Sequence, residues 1–336
     1  MAAPTLDDVA KKAGVSTATV SRCLNTPDRV VKATRERVME AVKSLGYTPN
    51  FAARVMAAKR SFTMGAIIPT MDNAIFARGL QAFQEALHES GYTLLVASSA
   101  YTPEIEEEQI RALVSRGADG LLLIGHERDP SVYDFLARQN IPTLVAWSFD
   151  ATARLPSVGF DNRAAMRAVT AEVIAQGHRR LAMISGICAG NDRATARVAG
   201  LRDAVVAAGM DPDAVPIMET HYGIETGAAA FEDLMARTPR PTAVICGNDV
   251  QAVGAMGIAA KLGLEVPCDV SITGFDDLEI ATIASPALTT VHVPHRDMGR
   301  AAARVLVEMV EDKRIPASVE LATELRLRAS LAPPGG

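Results

Sequence analysis

From about residue 61 the chain repeats one pattern: a short, almost continuous apolar run, then a stretch with apolar positions every three or four residues. GAIIP, TLLVAS, GLLLIG and PTLVAW are the first runs, with helical patterns near 74–90, 104–116 and 131–138 between them. After SVGFD the cycle recurs with LAMISG, IMETH, AVICG and SITGF. Apolar runs without alternation predict strands covered on both faces, and their regular spacing by helices predicts parallel sheets. Two cycles of similar length predict an α/β core of two doubly wound lobes.

The first sixty residues follow a different rhythm. Thr5 and Asp8 have the spacing of a capping box ahead of a helix from Leu6 to Ala13, and Gly14 stands where a left-handed stop belongs. Val9, Ala10 and Ala13 make one apolar stripe. Ser16 can cap a second helix that turns Val20 and Leu24 inward and puts Thr17, Ala18, Ser21, Arg22 and Asn25 on the opposite face. A third helix, Val31 to Leu45, carries Val38, Ala41, Val42 and Leu45 at 3.6 spacing and stops at Gly46.

Ser, Thr and Val are indifferent helix formers, so something other than helix propensity selected AGVSTATVSR. Two short helices across a glycine turn, with a third closing the core, make an all-α helix-turn-helix headpiece. Small hydroxyl and methyl side chains let its second helix enter a major groove, and Arg22 has the fork that fits guanine. The competing reading is an ordinary solvated helix.

Charge sharpens the division. Residues 1–60 hold eleven Lys and Arg against five Asp and Glu, whereas the remainder holds 23 against 34. A basic headpiece on an acidic body suits a nucleic-acid module joined to something that should not stick to nucleic acid. Four scattered cysteines without C-x-x-C spacing predict reduced thiols. No signal-peptide pattern or membrane-length apolar run is present in the sequence, so the expected location is the bacterial cytoplasm, on the nucleoid when bound.

TLDDVAKKAGVSTATVSRCLN followed by TRERVMEAVKSLGYTPN resembles the headpiece of the lactose-repressor (LacI/GalR) family. GYTPN-FAARVM-AAKR, LPSVGFDN, AQGHRRLA, CGNDVQAVGA and ITGFDDLE resemble its gluconate-repressor branch, so the likeness spans the chain. It implies a DNA-binding domain at 1–48 and a hinge helix at 49–60. The implied core is periplasmic-binding-protein-like, with an N-lobe at 61–158 plus about 289–317 and a C-lobe at 159–288 plus about 318–331. TTVHVP and a helix at 297–310 would return to the first lobe, and VELATELRLRAS to the second.

The implied DNA contacts are Thr5, Leu6, Ser16, Thr17, Ala18, Thr19, Ser21, Arg22, Asn25 and Tyr47, then Asn50, Ala53, Arg54, Met56 and Lys59 in the hinge. Met56 stands where the family usually supplies a leucine that wedges into a base step of the minor groove. A plain tether is the alternative for this segment.

Ligands of such sheets bind outside the carboxyl ends of the strands. Those ends offer Met71, Asn73, Phe76, His126 and Trp147 in the first lobe. In the second they offer Phe160, Asp161, Arg193, Arg197, His221, Tyr222, Asn248 and Asp276. Arg193 and Arg197, one turn apart, can clamp a carboxylate or phosphate, Asp276 can accept from hydroxyls, and Trp147 or Phe76 can stack on a sugar face. Asn248 serves equally well as a helix cap and Trp147 as core.

No nucleotide or hydrolase signature is present, and His292-x-x-His295 is a weak metal signal that Pro294 interrupts with no third ligand near. Asp276-Asp277 point to opposite faces of a strand, so no enzyme, cofactor or metal is expected. The expected partners are a near-palindromic duplex operator, a second copy of the chain and a small sugar or sugar-acid effector. The rival function is a sugar sensor whose headpiece contacts protein.

Overall fold

The computed structural model describes residues 4–48, 60–72 and 74–335, with Asn25 through its backbone alone. Two compact units divide the chain at Ser61 and Phe62.

In the first unit, α1 (Leu6–Ala13), α2 (Thr17–Asn25) and α3 (Lys32–Leu45) enclose a small core. Val9, Ala10, Ala13, Val20, Cys23, Val38 and Ala41 fill it, and Leu6, Leu24, Val42, Leu45 and Tyr47 close over it. The capping box at Thr5 is formed, and α1 and α3 end on left-handed Gly14 and Gly46.

The second unit holds two six-stranded sheets. β1 (Thr63–Ile68), β2 (Thr93–Ser98), β3 (Gly120–Ile124), β4 (Thr143–Ala146), β5 (Ser157–Gly159) and β11 (Val319–Glu320) form one, in the order β11-β5-β4-β3-β1-β2. β6 (Leu181–Gly186), β7 (Ile217–Thr220), β8 (Ala243–Cys246), β9 (Ser271–Asp276), β10 (Thr289–His292) and β12 (Glu324–Arg326) form the other, in the order β12-β10-β9-β8-β6-β7. All pairings are parallel except β10 with β12. Helices α4 (Ala77–Glu89), α5 (Pro103–Ser115), α6 (Pro130–Gln139) and α12 (His295–Asp312) accompany the first sheet. Helices α7 (Asn162–Ala175), α8 (Asp192–Ala207), α9 (Ile224–Met235), α10 (Asp249–Lys261) and α11 (Glu279–Ile283) accompany the second.

Three of the expectations are corrected. TTVHVP stays in the second lobe, because β10 pairs with β9 through Val291 and Phe275 and Thr290 Oγ1 donates to the buried Asp249 carboxylate at 2.5 Å. The chain therefore crosses at Val293–Pro294, and the boundary expected near 289 moves accordingly. VELATELRLRAS divides: Val319 and Glu320 pair with β5 of the first sheet before Glu324–Arg326 joins the second. TLLVAS is not covered on both faces, since it forms an edge strand with Leu95 and Val96 exposed.

Helix pairs in each lobe touch backbone to backbone through glycine. A Cβ on Gly299 of α12 would lie 2.0 Å from the Gly79 carbonyl of α4, and one on Gly200 of α8 2.2 Å from the Arg163 carbonyl of α7. Only hydrogen fits there. Gly257, also helical, faces open space. Gly200→Ala should therefore destabilise the protein by about 1–3 kcal/mol through overpacking. Gly257→Ala should stabilise it by up to about 1 kcal/mol through helix propensity. Chemical denaturation of the two variants checks the opposite signs.

Candidate functional site

The headpiece presents one prepared face. Ser16 Oγ accepts from the Thr19 amide at 3.2 Å and shares a hydrogen bond with Thr19 Oγ1 at 2.9 Å, starting α2 sharply after the Gly14 turn. With Val20 and Cys23 turned inward, Thr17, Ala18 and Arg22 are exposed and Ser21 is half-buried. Thr5 is committed to capping α1, while Leu6 and Tyr47 lean on the core. Asn50, Ala53, Arg54, Met56 and Lys59, like Asn73 of the body, lie outside the described residues.

In the body, the carboxyl ends of both sheets meet across a cleft. Its centre is Asp276, the last residue of β9, which is 1% exposed. Neither carboxylate oxygen has a hydrogen-bond partner. Arg197 of α8 approaches it at 3.7 Å without bonding. The guanidinium instead donates to Asn162 Oδ1 at 2.9 Å and the Gly247 carbonyl at 2.6 Å, and lies 3.8 Å above the Phe275 ring. Burial pushes the Asp276 carboxyl up to about 7 even though the Arg197 charge pulls it down. A buried carboxylate with two unused acceptors is chemically poised for hydroxyl donors.

Around it, further buried polar atoms lack partners: Trp147 Nε1, His126 Nε2, His295 Nδ1, Asn248 Nδ2 and Ser185 Oγ. His295 Nε2 bonds the Asp276 carbonyl at 3.2 Å, and burial lowers this imidazole to about 4, so it is neutral. The lobes are tied across the cleft by the His126 amide, which donates to Asp192 Oδ2 at 2.7 Å, and by the Asn162 side chain, which donates to the Trp147 carbonyl at 3.0 Å. Burial works to raise the Asp192 carboxyl, but the Arg193 charge and the His126 amide hold it below its usual range.

Several assignments change. Trp147 is 2% and Phe76 3% exposed, packed edge to face with ring centres 5.3 Å apart. Trp147 also fills the space beside Gly79, so both rings rest on protein in this arrangement. Phe160 stacks on Phe275 at 6.0 Å beneath the cleft. The arginine clamp is not free either, because Arg193 Nη1 pairs with Asp192 at 2.9 Å and Arg197 is engaged as above. Asp161 caps α7 and Asn248 caps α10, each through Oδ1. Asn248 still has its amide nitrogen to offer. Met71 and His221 are exposed, whereas Tyr222 covers Gly186, where a Cβ would meet its ring at 2.3 Å.

Sequence reasoning passed over Tyr101, Asn162, Asp192 and Phe275, and weighed His295 only as half of a weak metal pair with His292. Tyr101 follows β2, and the strand-end rule applied to TLLVAS would have found it. Its hydroxyl is raised by burial and by neighbouring Tyr222, and it also feels Arg193, Asp276 and Arg197. Asp192 and Asn162 had no such signal, since each stands beside a residue already assigned.

A helix-turn-helix unit and a two-lobed body with a polar cleft define a ligand-responsive DNA-binding protein. Residues 5–50 match the bacterial regulatory proteins of the lacI family, and residues 170–331 match the periplasmic binding protein-like domain. The chain is 30% identical to catabolite control protein A of Priestia megaterium over 97% of its own length and 98% of the relative's. It is 33% identical to the transcriptional repressor CytR of Escherichia coli K12, covering 98% and 96%. The lac repressor dimer bound to operator and an anti-inducer superposes with a TM-score of 0.87 at 25% identity, covering 98% of this chain and 100% of that one. The chain belongs to the LacI family and is a DNA-binding transcriptional regulator.

Asp276 also makes a pH prediction. Its folded pKa of about 7 lies above the ordinary 3.8, so between those values the folded state holds the proton more tightly than the unfolded one. Its stabilising contribution is then complete below the lower value and is lost as pH rises through the upper. Without effector, melting temperature should fall less between pH 6 and pH 8 in Asp276→Asn than in the parent. Parallel slopes in thermal melts would rule this out.

Proposed function

We propose that the chain is a dimeric cytoplasmic repressor of carbohydrate-use genes, relieved or engaged by a small hydroxyl-rich effector, without catalytic activity. The observation that carries the effector half is Asp276, buried between the lobes with both oxygens unbonded. A ligand hydroxyl supplies the missing hydrogen bonds and joins the lobes in one arrangement. The DNA half rests on the exposed small side chains of α2 with Arg22 among them. One headpiece reads too few base pairs for tight specificity, so two copies bind a near-palindrome. Met56, in the hinge outside the described residues, is the side chain assigned to wedge the central base step.

Within the family, likeness to the gluconate branch would favour a sugar acid. The engagement of Arg193 and Arg197 with Asp192, Asn162 and Gly247 gives that reading less support than a neutral polyol. Effector and operator are coupled by about 1–3 kcal/mol in such systems.

Selection of duplexes from a random pool, with and without candidate sugars, tests the whole reading. A single near-palindromic consensus is expected, and no enrichment would defeat it. On that consensus Arg22→Ala should lose about 1–3 kcal/mol of discrimination at one base pair. Asp276→Asn should keep operator affinity and lose the response to sugar. Fluorescence anisotropy reads both; unchanged base preference or an intact sugar response contradicts the respective assignment.

A further inference from the structure

Asp276 is held at the end of β9 by strained backbone. It and Asp277 are consecutive left-handed residues, φ 103° and 54°, a conformation that non-glycine residues keep only where their surroundings impose it. The Asp276 carboxyl does not impose it, since neither oxygen has a hydrogen-bond partner. The restraint comes from the residues beside it.

Four segments supply that restraint. The Asp276 carbonyl accepts from His295 Nε2 of α12 at 3.2 Å, and the Leu278 amide donates to the buried Asp249 of α10 at 2.7 Å. Between them, the Asp277 carboxylate accepts from Arg328 Nη2 at 2.6 Å and from His292 Nδ1 at 2.9 Å. Burial works to raise this carboxyl, but Arg328 and His292 hold it below its usual range, so it is charged and accepts only. His292 ends β10 in register with Asp276, immediately before the crossover at Val293–Pro294. Arg328 follows β12, which the chain reaches on its return from β11 of the first sheet. One carboxylate therefore joins both later crossovers to the residue next to Asp276.

Arg328 is the anchored member of this cluster. Its amide donates to Thr289 Oγ1 at 2.9 Å and its Nη1 to the Leu288 carbonyl at 2.9 Å, so backbone and guanidinium are both fixed to the segment that starts β10. A guanidinium already held in place loses little freedom on making one more bond. The Arg328 side chain is 21% exposed and that of Asp277 13%, so solvent screens their pairing less than it would at the surface.

We propose that Arg328, acting through the Asp277 carboxylate, is the positioning residue of the effector site: it maintains the left-handed turn that keeps the Asp276 carboxyl buried and ties that turn to the lobe crossovers. Without this ion pair the turn relaxes and Asp276 reaches water. The inference rests on the effector reading of Asp276, and the two can fail separately.

Thermal melts of the full-length protein at pH 6 and pH 8, without sugar, test it. Burial raises Asp276 to about 7, so its share of stability is lost across this interval. Comparing each protein with its Asp276→Asn counterpart isolates that share from the other charged and titratable groups nearby, which are Arg197, Asp249, Asp277, His292, His295 and Tyr101. Arg328→Gln should lose most of the Asp276-dependent fall in melting temperature, because a carboxyl that reaches water returns toward 3.8. Arg328→Lys, which keeps the cation, should retain it. Removing a positive charge without moving the carboxyl acts in the opposite sense, pushing Asp276 further up and preserving the fall. An arginine that only stabilised the lobe would lower the melting temperature equally at both pH values. The proposal is overturned if Arg328→Gln keeps the Asp276-dependent fall, if Arg328→Lys loses it as fully, or if the unmodified protein has none to lose. Should Arg328→Gln not fold, Asp277→Asn keeps the shape, removes the charge that Arg328 holds, and is measured against the same outcomes. An intact sugar response in Asp276→Asn would instead remove the effector reading and leave the positioning result standing.

Discussion

The body is organised around a charge it leaves incompletely bonded. Burying a carboxylate costs several kcal/mol unless partners replace its water, and Asp276 has only an arginine at 3.7 Å and no hydrogen bond. Arg197 gives its Nε to Asn162 and its Nη1 to Gly247 and lies over the Phe275 face. That leaves Nη2 facing the carboxylate at 3.7 Å, too far for a hydrogen bond. The arginine thus supplies a field without satisfying the acceptors, and the carboxyl is left near neutrality in its titration. A second buried carboxylate, Asp249, shows the contrast. Thr290 Oγ1 and the Leu278 amide satisfy both its oxygens at 2.5 and 2.7 Å. One aspartate is satisfied within its lobe; the other keeps both acceptors open.

Position matters as much as charge. Asp276 ends β9, Arg197 rises from α8, and both belong to the second lobe, while the groups facing them across the cleft come from the first. Asp192 grips the amide of His126, and His295, just beyond the crossover at Val293–Pro294, grips the Asp276 carbonyl. A molecule bound between these groups touches both lobes and the strand-to-helix crossover together, which lets its differential affinity for two lobe arrangements become a coupling energy.

Much of this was legible in the chain. GAIIP, GLLLIG and LAMISG could only be covered strands, and the small-residue face of α2 was visible because it contradicts helix propensity. The strand-end rule found Asp276 and Arg197. It did not find their partners, since hydrogen bonding such as that of Asn162 to both Arg197 and Trp147 depends on two elements meeting in space. The packing of the Trp147 and Phe76 rings on each other was hidden for a related reason. A Trp at a strand end can face ligand or neighbour, and the bare Gly79 that admits its ring belongs to a helix some seventy positions earlier. The crossover was misplaced because TTVHVP is equally apolar in either lobe; only the Thr290–Asp249 bond decides it.

Backbone strain marks the same region independently. Non-glycine residues in left-handed conformation cost on the order of 1–3 kcal/mol each and persist where the surroundings over-determine them. Of the eight in the body, Phe62 precedes β1 and Asn140 and Lys313 end helices; the other five are Ala100 and Tyr101 after β2, Trp147 after β4, and Asp276 and Asp277, which end and follow β9. All five lie at the carboxyl ends of strands in two different sheets. Packing alone would have no reason to gather strained positions on the cleft side of both lobes. Strand ends that must leave the sheet where the two lobes meet do, because each departure turns the chain out of the strand direction. The orphaned carboxylate of Asp276 and the left-handed backbone that carries it are therefore one feature, two local costs gathered at the end of a single strand.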